Sequence, residues 1–390
     1  MYKKNGYFFE EFSLNLFIIM ESLSETTSVS QTTSVSQTTT VPETTTVSQT
    51  TTVPEIRQYI KPYILDKVED IINHVTAHTY DFIKYEIYNK TAIDDKKFIT
   101  IVMTTHNRKE QTLYTLHSFE HSQLCDQVTV ILVDDSTEGF FSDCDLSQFP
   151  FQITYITIEN EKKKWINPCV NYNIGFQEAT TERIIIQNAE VSHCGDIIKY
   201  VADHLDSSNY LVFDVRSIAS LEGNHEFYQL NNDYDNIYRD FEKNKYQWYQ
   251  HTIHRNGNYH FLVALTRDNL LKLGGFDYDF ALGSCYDDDE LIFRVQNIIK
   301  LKIQNVINEE TKLLGIHQWH PQGALTYDRR YMNINHRLCE FKKMSFSRTH
   351  QWVQGVNLSP VNDFVQAKRL AASKRAAVIA ALQASKKIPS

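Results

Sequence analysis

FITIVMT at residues 98–104 runs without a break into THNR at 105–108. An apolar run of that length, with no polar face, reads as a strand covered on both sides, and a helix is expected from about Lys109. The pattern recurs downstream. QVTVILV (127–133) leads into DDS, QITYITI (152–158) precedes a helix from about Pro168, and RIIIQ (183–187) leads into NAE. A further helix opens near Asp196, and YLVFDV (210–215) follows it. Strands alternating with helices imply an α/β fold with a mostly parallel central sheet flanked by helices. Ligands of such sheets collect beyond the carboxyl ends of the strands.

Those ends are polar. The first strand runs into Thr104, Thr105, His106, Asn107 and Arg108, the second into Asp134, Asp135 and Ser136, and the fourth into Gln187, Asn188, Ala189 and Glu190. Hydroxyls, amides and carboxylates along one edge describe a site for a polar ligand, where a carboxylate can hold a divalent ion or accept hydrogen bonds from a base and ribose. The same residue types also form turns and helix N-caps; their recurrence at successive strand ends favours a site.

Taken in order and spacing, IVMTTHNR, ILVDDS, NPCVNYNIGFQEA, IIIQNAEV and GGFDYDFALGSCYDDDELIFRV resemble the family 2 glycosyltransferases of the GT-A fold, over about residues 98 to 320. The resemblance implies a nucleotide-diphosphate sugar donor, a UDP-sugar foremost, a divalent metal (Mn2+ or Mg2+), and transfer of a hexosyl or N-acetylhexosaminyl group with inversion at the anomeric carbon. Thr104 matches the position after the first strand that lines the nucleotide pocket, and Asp135 the carboxylate that reads the base; Thr105, Asn107, Arg108 and Asp134 join them. Asn173 matches the polar position of the family's RN-x-G segment that faces the donor, with Tyr172 in place of the Arg. Glu190 falls on the last carboxylate of the Asp-x-Asp metal motif, whose first Asp is replaced by Asn188. Late in the chain, LGIHQWHP (314–321) offers His317 as a further metal ligand, with His320 as a weaker candidate.

The acid run Asp287, Asp288, Asp289, Glu290 follows the Gly-marked loop GGFDYDFALG (274–283). Counting back from Leu291 and Arg294, which fit the family's D-L-x-x-R, places its acidic pair at Asp287 and Asp288, the second as the base. A sugar hydroxyl is a poor nucleophile and needs such a base, and neighbouring acids raise its pKa. Asp287 and Trp319 then fall on the acceptor side. Trp248 and Tyr249 can stack on a sugar or fill the core. Two rival readings remain: a non-catalytic nucleotide-sugar- or carbohydrate-binding protein that kept the scaffold, and a nucleotidyltransferase, whose Gly-rich loop THNRKEQ lacks.

The rest of the chain frames this region. Its 390 residues are 42% hydrophobic, enough for a sizeable core, and its net charge of −9 argues against a nucleic-acid partner. Six scattered cysteines with no Cys-x-x-Cys pair fit a reducing, cytoplasmic setting. No run of 18 apolar residues supports a transmembrane segment, since Glu10 and Glu11 interrupt Tyr7–Met20. Residues 1–55 end in five Thr-rich hexads, expected to be a disordered tail. Residues 56–97 are expected to be helical, because Tyr63, Ile64, Val68, Ile71, Ile72 and Val75 share one face that would cover the domain or a second copy of the chain. The glycosyltransferase-like domain is expected over 98–325, and a C-terminal extension over 326–390, ending in a basic helix from Phe364. The acceptor would be a glycan or a protein.

Overall fold

The computed structural model describes residues 82–89, 98–137, 141, 143–230, 233–244, 246–321, 328–350 and 352. Twelve strands among them form two sheets. The large sheet takes β1 (Ile83–Tyr88), β2 (Ile99–Thr105), β3 (Val128–Asp134), β4 (Gln152–Ile158), β5 (Arg183–Asn188), β7 (Asn209–Phe213), β10 (Leu262–Thr266) and β11 (Lys302–Val306), in the order β1-β4-β3-β2-β5-β10-β7-β11. The small sheet orders β6 (Val191–Cys194), β12 (Leu314–His317), β8 (Val215–Ser217) and β9 (Gln247–Gln250) as β6-β12-β8-β9. Among the described residues, eight helices of seven or more residues flank them, α1 (Lys109–Phe119), α2 (Cys169–Glu178), α3 (Ile197–His204), α4 (Leu221–Tyr228), α5 (Tyr234–Asn244), α6 (Arg267–Leu273), α7 (Asp287–Asn297) and α8 (Arg329–Thr349), and a single helical turn spans Asn308–Thr311. None of them is long and apolar enough to cross a membrane.

The four strands read from continuous apolar runs, β2 to β5, are the parallel centre of the large sheet. Ile101 and Met103 enter one core with Leu116 and Phe119 of α1 and Val201 of α3, whereas Val102, between them, enters the opposite core with Val170 and Phe176 of α2 and Val295 of α7. Two covered faces are why no polar alternation marks these strands. The expectation of a mostly parallel sheet needs correction outside this centre. β10 pairs antiparallel with both β5 and β7, and β1 antiparallel with β4. The chain reaches β10 at the carboxyl edge of β5, where the Asn188 N–H donates to the Phe261 carbonyl at 3.2 Å, so β10 runs back through the sheet.

Gly175 lets α2 lie close on that centre. A Cβ there would stand 2.7 Å from Val102 Cγ1 and 3.2 Å from Val133 Cγ2. Gly175→Ala should therefore destabilise the protein by about 1–3 kcal/mol through overpacking, against the usual gain of Ala over Gly in a helix. Urea unfolding reads the shift, and an unchanged midpoint would show that the strands give way freely.

Two boundaries differ from expectation. Residues 83–88, inside the stretch expected to be helical, form edge strand β1, because IKYEIY has the β-branched and aromatic character to extend the open side of β4. The helical face from Tyr63 to Val75 lies outside the described residues, as do the Thr-rich tail and the basic segment from Phe364. At the other end, α8 is part of the domain. Its buried Lys342 pairs with Asp277 and, at 2.9 Å, with Asp279, and Asn335 Nδ2 donates to the carbonyls of Phe280 (3.0 Å) and Cys285 (2.9 Å). The loop that leads into the acid run is held by a helix beyond the expected boundary at 325.

Candidate active site

Strand register brings the polar ends to one level. Thr104 is opposite Val133 on one side and Asn188 on the other, and Thr105 is opposite Asp134. Within this row the residues divide between frame and site. Thr105 Oγ1 lies 3.0 Å from Thr112 Oγ1 of α1. Asp134 accepts from the Ser136 N–H and hydroxyl and, at 2.6 Å, from the Tyr155 hydroxyl, and burial raises its pKa. Asn107, with φ of 55°, donates its N–H to Ser136 Oγ at 2.8 Å and accepts from the Thr137 N–H at 3.1 Å. These three tie the loop ends together.

Asp135 is the buried charge of the row. Its Oδ1 lies 3.0 Å from His106 Nδ1, and its Oδ2 accepts from Asn171 Nδ2 at 2.8 Å and from Lys163. Burial opposes its charge, but His106, Lys163 and Asn171 together outweigh that and hold the carboxyl down at about 2. A pKa lowered in the folded state means its stabilising contribution is full above the ordinary carboxylate range and is lost only as pH falls toward 2. His106 is raised in turn, first by its hydrogen bond to Asp135. Asn160, whose Nδ2 donates to the Asp135 carbonyl at 2.7 Å, Lys163 and Asn171 are absent from the residues singled out by sequence, whereas His106 is among them. Asn160 and Lys163 follow the third strand run, QITYITI, beyond its carboxyl end. Asn173 turns the other way: its Oδ1 accepts from the Phe276 N–H and its Nδ2 donates to the Phe276 carbonyl, both at 2.8 Å. It anchors the Gly-marked loop to α2.

Glu190 sits in the turn from β5 to β6, 1% exposed. Its main-chain carbonyl accepts from the Gln318 N–H at 2.9 Å, which lays the segment after β12 beside it. His317 and His320 consequently bring their Nε2 atoms to 3.4 and 3.5 Å from Glu190 Oε1, and Asn188 Nδ2 is 3.5 Å from the same oxygen. Arg108 Nη1 donates to it at 2.5 Å. Burial opposes the charge on Glu190, but Arg108 and then the two histidines keep the carboxyl well below its usual range, while burial lowers His317. Among the described residues, Glu190 Oε2 and both ring nitrogens of His317 are buried with no hydrogen-bond partner. Tyr249 packs on His317 with ring centroids 4.0 Å apart, Trp248 lies beneath the Arg216 guanidinium, and Trp319 packs against the core of the small sheet.

The acid run opens α7, and its four members have different partners. Asp287 Oδ1 accepts from Asn167 Nδ2 at 2.9 Å, Asp289 Oδ1 from the Tyr259 hydroxyl at 3.0 Å, and Glu290 forms a two-point pair with Arg294 at 2.7 Å for each contact. Asp288 Oδ1 accepts from the Asp289 N–H at 2.9 Å. Burial, then Asp287 and Asp289, raises its pKa well above the ordinary value. The run is joined to the Glu190 side by Tyr259 and His260: the first bonds Asp289, and the second lies in the field of Glu190.

A second His–carboxylate group, Asp214, His251 and Glu309, brings one ligand-type atom from each residue within 4.8 Å of the others. His251 Nδ1 accepts from the N–H groups of Ile253 (3.0 Å) and His254 (3.2 Å), so the ring proton resides on Nε2. A protonated nitrogen is a donor, not a metal ligand.

Residues 100–264 match the family model described as Glycosyl transferase family 2. No curated protein matches the chain. Among solved structures, S. aureus TarS 1-349 in complex with UDP-GlcNAc is similar at 9% identity over 61% of this chain and 64% of that one, with a TM-score of 0.43. The mannosyltransferase PcManGT from Pyrobaculum calidifontis, in complex with GDP-Man and Mn2+, is similar at 13% identity over 85% of this chain and 90% of that one, with a TM-score of 0.37. A further TarS 1-349 structure aligns at 15% identity over 32% of this chain and 37% of its own length, with a TM-score of 0.27. The chain thus spans less than two thirds of both TarS structures. Likeness at these scores carries no statement about donor or metal. The matched residues, less than half of the chain, supply the parallel centre of the sheet, the strand end that bears Asp135 and the turn that bears Glu190, and over this region the chain is similar to the family 2 glycosyl transferases.

Proposed function

We propose that this chain moves a sugar from a nucleotide-diphosphate donor, a UDP-sugar foremost, to a hydroxyl of a glycan or protein acceptor, with inversion and with the help of a divalent metal. The observation that carries the reading is a set of buried atoms that make no hydrogen bond among the described residues, Glu190 Oε2 and both ring nitrogens of His317, with His320 beside them. Leaving buried polar atoms unpaired is costly, and a bound ion would satisfy them. One carboxylate and two imidazoles fit a divalent ion, and suit Mn2+ better than Mg2+. When bound, it would supply Lewis-acid stabilisation to the leaving diphosphate.

The protein's own residues do the rest. Thr104 and Asp135 line the nucleotide side, where Asp135 keeps lone pairs free for a donor N–H. Asp288 takes the proton of the acceptor hydroxyl as that oxygen bonds to the anomeric carbon. The bond from that carbon to the diphosphate oxygen breaks on the opposite side, its electron pair leaves with the diphosphate, and the configuration inverts. Asp287 and Asp289 are occupied by Asn167 and Tyr259, which leaves Asp288 as the acid open to the acceptor.

The rival reading, a binding protein without turnover, draws on Asn188, which brings no charge to the metal. Calorimetric titration with UDP and GDP in Mn2+ tests the shared part of both. Asp135→Ala should weaken nucleotide binding by about 1.5–3 kcal/mol, the worth of a hydrogen bond to a charged group. Equal affinity in variant and parent would remove Asp135 from the pocket, and sugar release from a panel of nucleotide sugars then separates enzyme from binder.

A further inference from the structure

Four nitrogens converge on Glu190 Oε1, and the one in contact is not a family metal-site residue. Arg108 Nη1 stands at 2.5 Å, while His317, His320 and Asn188 stand at 3.4–3.5 Å. Arg108 reaches in from the solvent side: its side chain is 27% exposed and that of Glu190 is 2% exposed. Its main chain is pinned. The Arg108 carbonyl accepts from the N–H (2.9 Å) and hydroxyl (2.7 Å) of Thr112, and the preceding Asn107 is bonded to Ser136 and Thr137. The side chain is therefore the part of this loop left to move.

A divalent ion held by Glu190, His317 and His320 would lie within a few ångströms of that guanidinium. Like charges so close, in a site shielded from water, repel strongly. We propose that Arg108 is a resident counter-charge which competes with the metal for Glu190 and gives up the carboxylate when the donor's diphosphate arrives. A guanidinium matches two phosphate oxygens better than one carboxylate oxygen, so the diphosphate draws it off Oε1 and leaves that oxygen to the ion. Metal alone then binds weakly, and metal and nucleotide strengthen each other by the same factor. The competition stands on the Arg108–Glu190 contact; the release by diphosphate rests on the nucleotide-sugar reading.

The experiment is a Mn2+ titration of the full chain, with free Mn2+ followed by electron paramagnetic resonance, with and without UDP. For the parent, UDP should tighten Mn2+ binding at least about tenfold. In Arg108→Gln, Mn2+ without nucleotide should bind about tenfold more tightly than in the parent, and the gain from UDP should shrink. Arg108→Lys keeps the charge and should keep the parental weakness toward Mn2+, which guards against a Gln variant that fails to fold. Unchanged or weaker Mn2+ binding by folded Arg108→Gln without nucleotide would overturn the competition, as would Mn2+ binding by Arg108→Lys at the tightness expected of the Gln variant. If the parent binds Mn2+ but no nucleoside diphosphate, the transferase reading fails by itself, and the nucleotide-free comparison of parent and variant still decides the role of Arg108.

Discussion

Asp288→Asn is expected to lower sugar transfer by about 10²–10⁴-fold while leaving nucleotide and Mn2+ affinity at the parental level. The substitution keeps size and shape and removes the proton acceptor. Its neighbours provide the internal comparison. Asp287→Asn retains an acceptor oxygen for Asn167, and Asp289→Asn one for the Tyr259 hydroxyl, so each should lose less than Asp288→Asn. The raised pKa of Asp288 also has a signature. Turnover should fall as pH drops through that raised value, since only the ionised carboxylate accepts a proton. Parental turnover by Asp288→Asn, measured with saturating donor, would place the base elsewhere in the acid run.

The second large effect is on stability. Arg294→Met should destabilise the fold by about 3–5 kcal/mol, because it leaves the fully buried Glu290 without its cation. Arg294 also donates to the carbonyls of Leu273 and, at 2.9 Å, Gly275, which flank a turn whose two glycines have φ of 75° and 70°. The loss therefore reaches both α7 and the turn before it. Replacing both partners, Glu290→Leu with Arg294→Met, should restore much of the stability, since no lone charge remains. Urea midpoints for the single and double variants test this, and a loss below about 1 kcal/mol in the single variant would mean that the pair is dispensable.

The central sheet was legible in the sequence because strands buried on both faces write themselves as unbroken apolar runs. β2, β3, β4 and β5 stand where FITIVMT, QVTVILV, QITYITI and RIIIQ predict. Direction was not legible: β10 is as apolar as the parallel strands of the centre, and its entry point at the carboxyl edge makes it antiparallel to β5 and β7. Edge strand β1 stayed hidden because the helical periodicity upstream of it was carried on through residue 97. Within the site, Asp135 and the acid run were legible as carboxylates placed after apolar segments. Their partners were not, since Lys163 belongs to a lysine run that reads as solvated surface. Asn171 and Asn173 lie two residues apart on one helix, so they face nearly opposite ways, and a motif alone does not say which one meets the sheet edge. Arg108 and Glu190 are separated by 82 positions, a contact that no local pattern encodes.

The grip of α8 on the loop before the acid run also has a bearing on biosynthesis. Chains emerge from the ribosome N-terminus first, at about 5–20 residues per second. The matched region, the Glu190 turn and Asp288 itself all emerge before Lys342 and Asn335. Until those two arrive, Asp277 lacks its contact with Lys342, and the Phe280 and Cys285 carbonyls lack the Asn335 amide. A nascent chain that already holds the Asp135 strand end and the Glu190 turn thus still lacks the contacts that fix the loop before Asp288. Sheet assembly precedes the fixing of that loop during synthesis, and a transcript cut short ahead of α8 would encode the first without the second.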